Sequence, residues 1–509
     1  MARGGGDGEY LIGLDLGTTG AKAGIVSPTG KVIATAARSY DTVTSRPGWA
    51  EQDPDDWWRA STASIGAALE ASGLPAPSIA GIGLSGQMHG SVFLDASGSV
   101  IRPCILWCDQ RTAPQCRWIE DHVGAEKLSR LVQNPALAGF TAPKVLWLRE
   151  NEPENYARVR TLLLPKDYVN WRLTGRQATE SSDASGTLLF DVRERSWSNE
   201  MLELLDVPPG WLPDVLESSE ALGGMTREAG EATGLLEGTP VACGGADNAC
   251  GALGMGVVRP GQVAVSIGTS GTVLSPTSKP LTDPAMRLHT FCHVVPGTWY
   301  VMGVMLSAGL SLRWFRDQLG EPERTLAGRQ GRDAYELLEE TAEGAPAGCE
   351  GLVFLPYLTG ERTPHADPQA RGVLFGLDLT KTRSHVIRSV MEGVVFGLKD
   401  SLELMKELGV PIETLVSGGG GSRSGLWRQM LADSFELPLF SPRESDSAML
   451  GAALLAGVAS GVFSSVDEAA LIAREGEHAA PDPTAFEAYR QAYAKYRSLY
   501  PALRPLFDR

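Results

Sequence analysis

The chain has 509 residues, more than one ordinary hydrophobic core serves, so two domains are expected. Its 45 basic against 61 acidic side chains give a net charge of −16, which argues against electrostatic capture of nucleic acid or of an anionic membrane. No apolar run approaches the roughly 20 residues of a membrane span, and the seven cysteines, odd in number and without a CxxC pair, suit a reduced cytoplasm.

The glycine-rich residues 1–9 read as a disordered tail, with order expected from Tyr10 onward. Short β-rich runs at Tyr10–Leu16, 79–84, 241–243 and 415–416 alternate with longer helical patterns, which argues an α/β fold. Helices are expected at 54–71, where Trp57, Trp58, Ile65 and Leu69 recur near helical spacing, at 385–408, and from Ser424 onward after a run of glycines. A last helix is expected at 484–499, with Tyr489, Tyr493 and Tyr496 on about one face.

The first strand runs into Asp15 and then into Gly17-Thr18-Thr19-Gly20. Glycines let the backbone bend sharply and approach a ligand, and threonine hydroxyls add donors beside exposed amides, so this turn, with Lys22 just beyond it, can wrap phosphate oxygens. The stretch that follows, Ala21-Lys22-Ala23-Gly24-Ile25-Val26, alternates small and apolar residues. A hairpin is therefore expected, and the GxxxxGK[ST] spacing of a Walker loop is absent. Asp15 would end a buried strand, where a carboxylate requires a donor or a cation such as the magnesium carried by a nucleotide.

Leu14-Asp15-Leu16-Gly17-Thr18-Thr19-Gly20 is echoed half a chain later by Val265-Ser266-Ile267-Gly268-Thr269-Ser270-Gly271. A repeat at that distance implies two domains of related fold, each lending one turn to a shared triphosphate. The expected division is 10–255 for sugar and phosphate and 256–509 for the nucleotide. Either turn alone could equally be a tight hairpin with no ligand.

Asp247 lies in Gly244-Gly245-Ala246-Asp247-Asn248, just past the apolar run 241–243. A carboxylate on a small-residue loop at a strand end can accept the proton of an attacking hydroxyl in phosphoryl transfer; a helix N-cap is the alternative. Gly86-Gln87-Met88-His89-Gly90 and Trp107-Cys108-Asp109-Gln110-Arg111 each follow an apolar run. Gln87, His89 and Asp109 supply directional groups for a polyol, and Met88 or Trp107 an apolar wall. The alternatives are a structural histidine and a surface Asp109–Arg111 pair. Glycines 418–421, among them Gly419 and Gly420, precede a segment reaching Gln429 and could face adenine or ribose, or form a loop with Ser424 as N-cap. A structural ion pair is expected of Glu361 and Arg362.

With these pieces in place the sequence closely resembles the FGGY carbohydrate kinases over nearly its whole length from about Tyr10. One signature stands as Gly139-Phe140-Thr141-Ala142-Pro143-Lys144-Val145-Leu146-Trp147-Leu148-Arg149-Glu150-Asn151, and a second runs from Gly372 through Phe375-Gly376-Leu377 to Met391-Glu392. Gly86-Gln87-Met88-His89-Gly90, Trp49-Ala50-Glu51-Gln52-Asp53-Pro54, Leu164-Pro165-Lys166-Asp167-Tyr168 and Leu358-Thr359-Gly360-Glu361-Arg362-Thr363-Pro364-His365 resemble the branch acting on D-xylulose more than those acting on glycerol or ribulose.

The resemblance implies two actin-like, ribonuclease-H-like domains with ATP and sugar in the cleft between them, transfer to the 5-hydroxyl of D-xylulose, and a homodimer as an admissible assembly. It further implies Asp247 as proton acceptor, Met88 and His89 as the sugar-contacting pair with Asp109 and Asn248 beside them, and Asp15, Thr18 and Thr19 at metal and phosphate. Gly268 and Thr269 then form the second phosphate turn, and Gly419, Gly420 and Gln429 fall in the nucleotide segment. An actin-like chaperone or filament protein shares such a fold, but the cluster at Gln87, Met88, His89 and Asp109 speaks for a sugar.

Overall fold

The structure is a computed structural model that describes residues 9–474 and 476–507. The tail expected over 1–9 lies, apart from Glu9, outside these residues. The first half supplies strands β1 (Tyr10–Leu16), β2 (Gly20–Val26), β3 (Val32–Ser39), β4 (Ile79–Gly86), β5 (Ala221–Gly224), β6 (Pro240–Ala242) and β7 (Gly245–Ala246). They join in the order β5-β6-β4-β1-β2-β3, with β7 added on β4. The second half supplies β8 (Gly261–Ile267), β9 (Gly271–Thr277), β10 (His289–Cys292), β11 (Trp299–Met305), β12 (Ile412–Gly418), β13 (Leu439–Pro442) and β14 (Gly476–Ala479), in the order β10-β11-β9-β8-β12-β13-β14.

The two sheets are one topology used twice. β1 pairs antiparallel with β2 and parallel with β4, as β8 does with β9 and β12. β5 and β14 are the matching antiparallel edges. The sequence echo is therefore a duplicated hairpin, and the architecture is the two-domain actin-like α/β fold expected.

The helices that position the site are α1 (Pro54–Ser72), α2 (Thr141–Asn151), α3 (Asp247–Gly254), α4 (Gly309–Gln318), α5 (Ala334–Glu343), α6 (Arg383–Glu407), α7 (Gly425–Phe435), α8 (Ser447–Ala459) and α9 (Phe486–Phe507). α1 begins where the Asp53 carboxylate accepts the Asp55 N–H and Pro54 presets the first turn, and it ends at left-handed Gly73. It buries Trp57, Ile65 and Ala68 in the core of the first sheet. α9 runs past the expected stop at 499, through Pro501 and Pro505, with Tyr489, Tyr493, Tyr496 and Tyr500 all buried.

α8 lies between β13 and β14 of the second sheet in sequence but covers the first. Its residues are apolar all round, as a helix buried on every side requires. Backbone meets backbone there: a Cβ at Gly13 of β1 would sit 1.9 Å from the Met449 carbonyl oxygen, and one at Gly83 of β4 2.2 Å from that of Ala452. α8 also lies directly on α3, where a Cβ at Gly451 would stand 1.9 Å from the Cys250 oxygen.

Candidate active site

The first turn closes with the Gly17 N–H donating to the Gly20 carbonyl at 3.0 Å, a hairpin as expected. Neighbours fix it from several sides. The Tyr40 hydroxyl donates to the Gly17 carbonyl, Gln52 Nε2 to the Thr18 carbonyl at 2.7 Å, and Trp107 Nε1 to Thr18 Oγ1 at 2.9 Å. Gln52 is the hub the sequence reading missed, since its Oε1 also accepts from Gln87 Nε2 at 3.1 Å and Trp57 Nε1 at 2.9 Å. It couples the first turn to the expected sugar strip, and its only local signal is the 49–54 motif.

Asp15 ends β1 beside this turn, where Ser85 Oγ donates to its Oδ1 at 2.9 Å. Burial, and then the charge of Asp446, push its carboxyl up to about 6 against the help of Ser85. Lys22 does not stand free for an anion: its Nζ is 2.5 Å from Asp446 Oδ2, at the start of α8, so it ties the first turn to the second half of the chain.

Asp247 is the first residue of α3, and Ala246 holds the N-cap position, so the N-cap alternative is not realised. The preceding bend requires glycine, because Gly244 has φ +79° and a Cβ there would lie 2.1 Å from the Leu84 oxygen. Ser182 Oγ accepts the Ala246 N–H at 3.0 Å and donates to Glu180 Oε1 at 2.9 Å, which anchors the loop from behind. The Asn248 N–H and Nδ2 donate to Asp247 Oδ1 at 2.7 and 2.9 Å. Burial and the neighbouring Asp15 charge nevertheless raise the Asp247 carboxyl to about 7, a value suited to a base near neutral pH. Neither Asp15 nor Asp247 forms an ion pair with a cationic side chain among the described residues.

His89 adopts φ +71°, an uncommon conformation for a side-chain-bearing residue. Its Nδ1 lies 2.6 Å from the Gly186 carbonyl, which only accepts, so Nδ1 carries the proton and Nε2 is a bare acceptor. Burial keeps the ring neutral, its pKa lowered to about 3, and Phe140 packs on it at 4.4 Å. The backbone of His89 is clamped by Lys144 Nζ and Thr141 Oγ1, which donate to its carbonyl at 2.7 and 3.1 Å. Lys144 is fully buried, donates equally to the Gly139 carbonyl, and burial pulls it down to about 7. Lys144 stands in the 139–151 signature, where nothing local marks this role. Met88 is buried beside Asn248, whose Nδ2 is 4.0 Å from its sulfur.

Two expectations change. Asp109 and Arg111 do pair, but in the interior: both side chains are essentially inaccessible and Arg111 Nη2 is 2.7 Å from Asp109 Oδ2. The same carboxylate accepts the Ala50 N–H at 2.6 Å and the Arg111 N–H at 2.9 Å, so its oxygens are committed to shaping the loop. Arg111 in turn joins Glu51 at 2.6 Å and lies 3.6 Å over the Trp49 ring. The ion pair expected of Glu361 and Arg362 is not formed. Glu361 Oε1 accepts the N–H groups of Leu306 at 3.0 Å and Arg362 at 2.8 Å, and burial raises its carboxyl to about 8.

In the second half, the turn at 268–271 packs on the start of α4, whose Gly309 N–H donates to the Gly268 carbonyl at 2.8 Å. Beside it opens a cavity of about 560 Å³ lined by Gly268, Thr269, Tyr335, Gly420, Ser424 and Trp427, among others. Gly419, which precedes the lining residue Gly420, has φ +76°. Ser424 caps α7, accepting the Trp427 N–H at 3.0 Å, and also lines the cavity. Gln429 is not brought there, because its Nε2 is held by Asp433 Oδ1 at 2.7 Å and the Ala480 carbonyl at 2.9 Å.

Twin glycine turns and a carboxylate near pKa 7, on paired sheets of one topology, define an actin-like phosphotransferase class. The N-terminal domain of the FGGY family of carbohydrate kinases matches residues 10–254 and its C-terminal domain residues 263–460. The chain belongs to this family and is a carbohydrate kinase. It is 40% identical to a xylulose kinase of Bacillus subtilis over 493 residues, 97% of each chain. It is 38% identical to a xylulose kinase of Escherichia coli over 97% of this chain and 99% of the relative. A solved xylulose kinase from Rhodospirillum rubrum superposes with a TM-score of 0.90 at 30% identity, covering 98% of this chain and all of the other.

Proposed function

We propose that this protein transfers the γ-phosphoryl group of ATP to the 5-hydroxyl of D-xylulose, giving D-xylulose 5-phosphate and ADP. The observation that carries the reading is Asp247, a carboxylate raised to about 7 at the head of α3, with Asn248 and Met88 on one side and Asp15 on the other. The attacking hydroxyl gives its proton to Asp247 as the new P–O bond forms. His89, fixed by Gly186, Thr141 and Lys144, accepts a sugar hydroxyl at Nε2, while Met88 supplies apolar wall. The two turns, Gly17-Thr18-Thr19 and Gly268-Thr269, hold the phosphates, and the cavity at Gly420 takes the nucleoside.

Asp15 and Asp247 are hard oxygen donors that repel each other and form no ion pair with a cationic side chain among the described residues, which fits magnesium. Among the described residues no group of three or more His, Cys, Asp or Glu side chains is arranged to hold an ion, which suits a metal carried by the nucleotide's own phosphates. When bound, that ion would neutralise phosphate charge as the γ-phosphoryl transfers. Asp15 would hold it directly or through water. We place the enzyme in the cytoplasm, where its seven free cysteines stay reduced.

The test is ADP release with Mg-ATP and a panel of pentuloses, hexuloses and polyols, with the product phosphate located by NMR. D-Xylulose is expected to lead, phosphorylated at C5. Faster turnover of glycerol or L-ribulose would overturn the substrate assignment.

A further inference from the structure

The proposed function leaves Arg362, in the second half of the chain, without a role. Arg362 sits on a loop stitched to two strands: the Thr363 N–H donates to the Val304 carbonyl at 3.0 Å, and Thr363 Oγ1 to the Arg287 carbonyl at 3.0 Å. Val304 is two residues beyond Met302 on β11, and Arg287 two residues before His289 on β10; Met302 and His289 are cross-strand partners. This places Arg362 beside His289, whose ring packs at 5.9 Å on Phe140, the same ring that packs on His89.

Among the described residues, the Arg362 guanidinium has no hydrogen-bond or ion-pair partner. Its sequence neighbour Glu361 does not neutralise it, since burial keeps that carboxyl protonated up to about pH 8. The positive field of Arg362 reaches both His89 and His289 and helps hold them neutral, while Asp247 is shaped instead by burial, Asp15 and Asn248. A half-buried guanidinium without a counter-ion is costly in the free protein, so the site that keeps it gains when acceptor oxygens arrive.

We infer that Arg362 is a specificity-determining residue that grips the non-reacting end of the ketose, its planar fork donating to the C2 carbonyl oxygen and the C1 hydroxyl oxygen. The inference rests on the proposed function and deepens it. Asp247 and Met88 hold the C5 end from the first domain, and Arg362 reads the carbonyl end from the second. A guanidinium suits two acceptors on adjacent carbons better than an ammonium does. It also distinguishes a ketose from the alditol of the same length by geometry, because a planar C2 carbonyl presents its oxygen in the plane of the fork and a tetrahedral C2 carbon does not.

The experiment measures kcat and KM for D-xylulose and xylitol at saturating Mg-ATP, KM for ATP, and the melting temperature without ligands, in the parent, Arg362→Met and Arg362→Lys. Arg362→Met is expected to raise the D-xylulose KM about tenfold or more, to bring the ketose-to-alditol preference toward unity, and to leave KM for ATP unchanged. Its melting temperature should equal or exceed that of the parent, because an unpartnered cation has been removed. Arg362→Lys should fall between the two in KM. An unchanged D-xylulose KM in an active Arg362→Met enzyme overturns the inference and leaves the proposed function standing. A fall in melting temperature with kcat and both KM values moving together assigns Arg362 a structural role and also overturns it. If the parent does not phosphorylate D-xylulose, the proposed function fails and this inference falls with it.

Discussion

Replacing Asp247 by Asn removes the proposed base and, by the same electrostatics, relieves the free protein of a disfavoured charge. The carboxyl has an ordinary value of 3.8 and stands near 7 in the folded chain. A group whose folded pKa exceeds its unfolded one binds more protons when folded, so its stabilising contribution is full below about pH 4 and is lost as pH rises through about 7. A shift of roughly three units corresponds to about 4 kcal/mol across that window, at about 1.4 kcal/mol per unit. In urea unfolding without nucleotide or metal, Asp247→Asn should therefore be more stable than the parent at pH 8, by up to about 4 kcal/mol, and the advantage should shrink steadily to pH 5. Sugar-dependent ADP release should fall by about 10² to 10⁴. A variant less stable than the parent at pH 8, or a stability difference that ignores pH, would refute the charge-burial argument; near-normal turnover would refute the base.

Gly13→Val places side-chain atoms where the Met449 carbonyl oxygen already lies 1.9 Å from a Cβ, so α8 cannot seat on β1. The soluble protein should lose more than about 3 kcal/mol in urea unfolding, and parental stability would show that the contact is dispensable. Lys144→Met leaves the carbonyls of His89 and Gly139 without their shared donor. The D-xylulose KM should rise about tenfold, the scale of a charged hydrogen bond, with KM for ATP unaffected. Because burial pulls Lys144 to about 7, the parent's own sugar KM should climb as pH rises through about 7, where the ammonium deprotonates, and level off above pH 8; in the variant that climb should vanish.

What the sequence shows well is what a few consecutive residues decide. The hairpin at Asp15 and its echo follow from glycine placement and alternation, α1 from its cap and apolar spacing, and the loop at Asp247 from small residues at a strand end. Side-chain partners chosen across the fold are invisible at that range. Asp109 and Arg111 form the expected pair, but only packing beneath Trp49 makes it interior. Glu361 and Arg362 are adjacent in sequence and still do not pair, because the N–H groups of Leu306 and Arg362 take the carboxylate instead. Gln429 follows a glycine run expected to face the nucleotide, yet the phase of α7 turns it to Asp433 and Ala480. α8 has no polar face whose periodicity would announce it, and nothing local says that its resting place is the other sheet.

That placement of α8 governs how the molecule can come into being. The face of the first sheet that contains Gly13 and Gly83 is sealed by residues some 200 positions downstream of the last strand of that sheet. During synthesis the amino-terminal half leaves the ribosome with one side of its sheet bare and must wait for most of the remaining polypeptide before its core can close. The two halves thus mature together: a fragment ending near residue 255 would retain both Asp15 and Asp247 yet lack the lid that makes a stable scaffold for them.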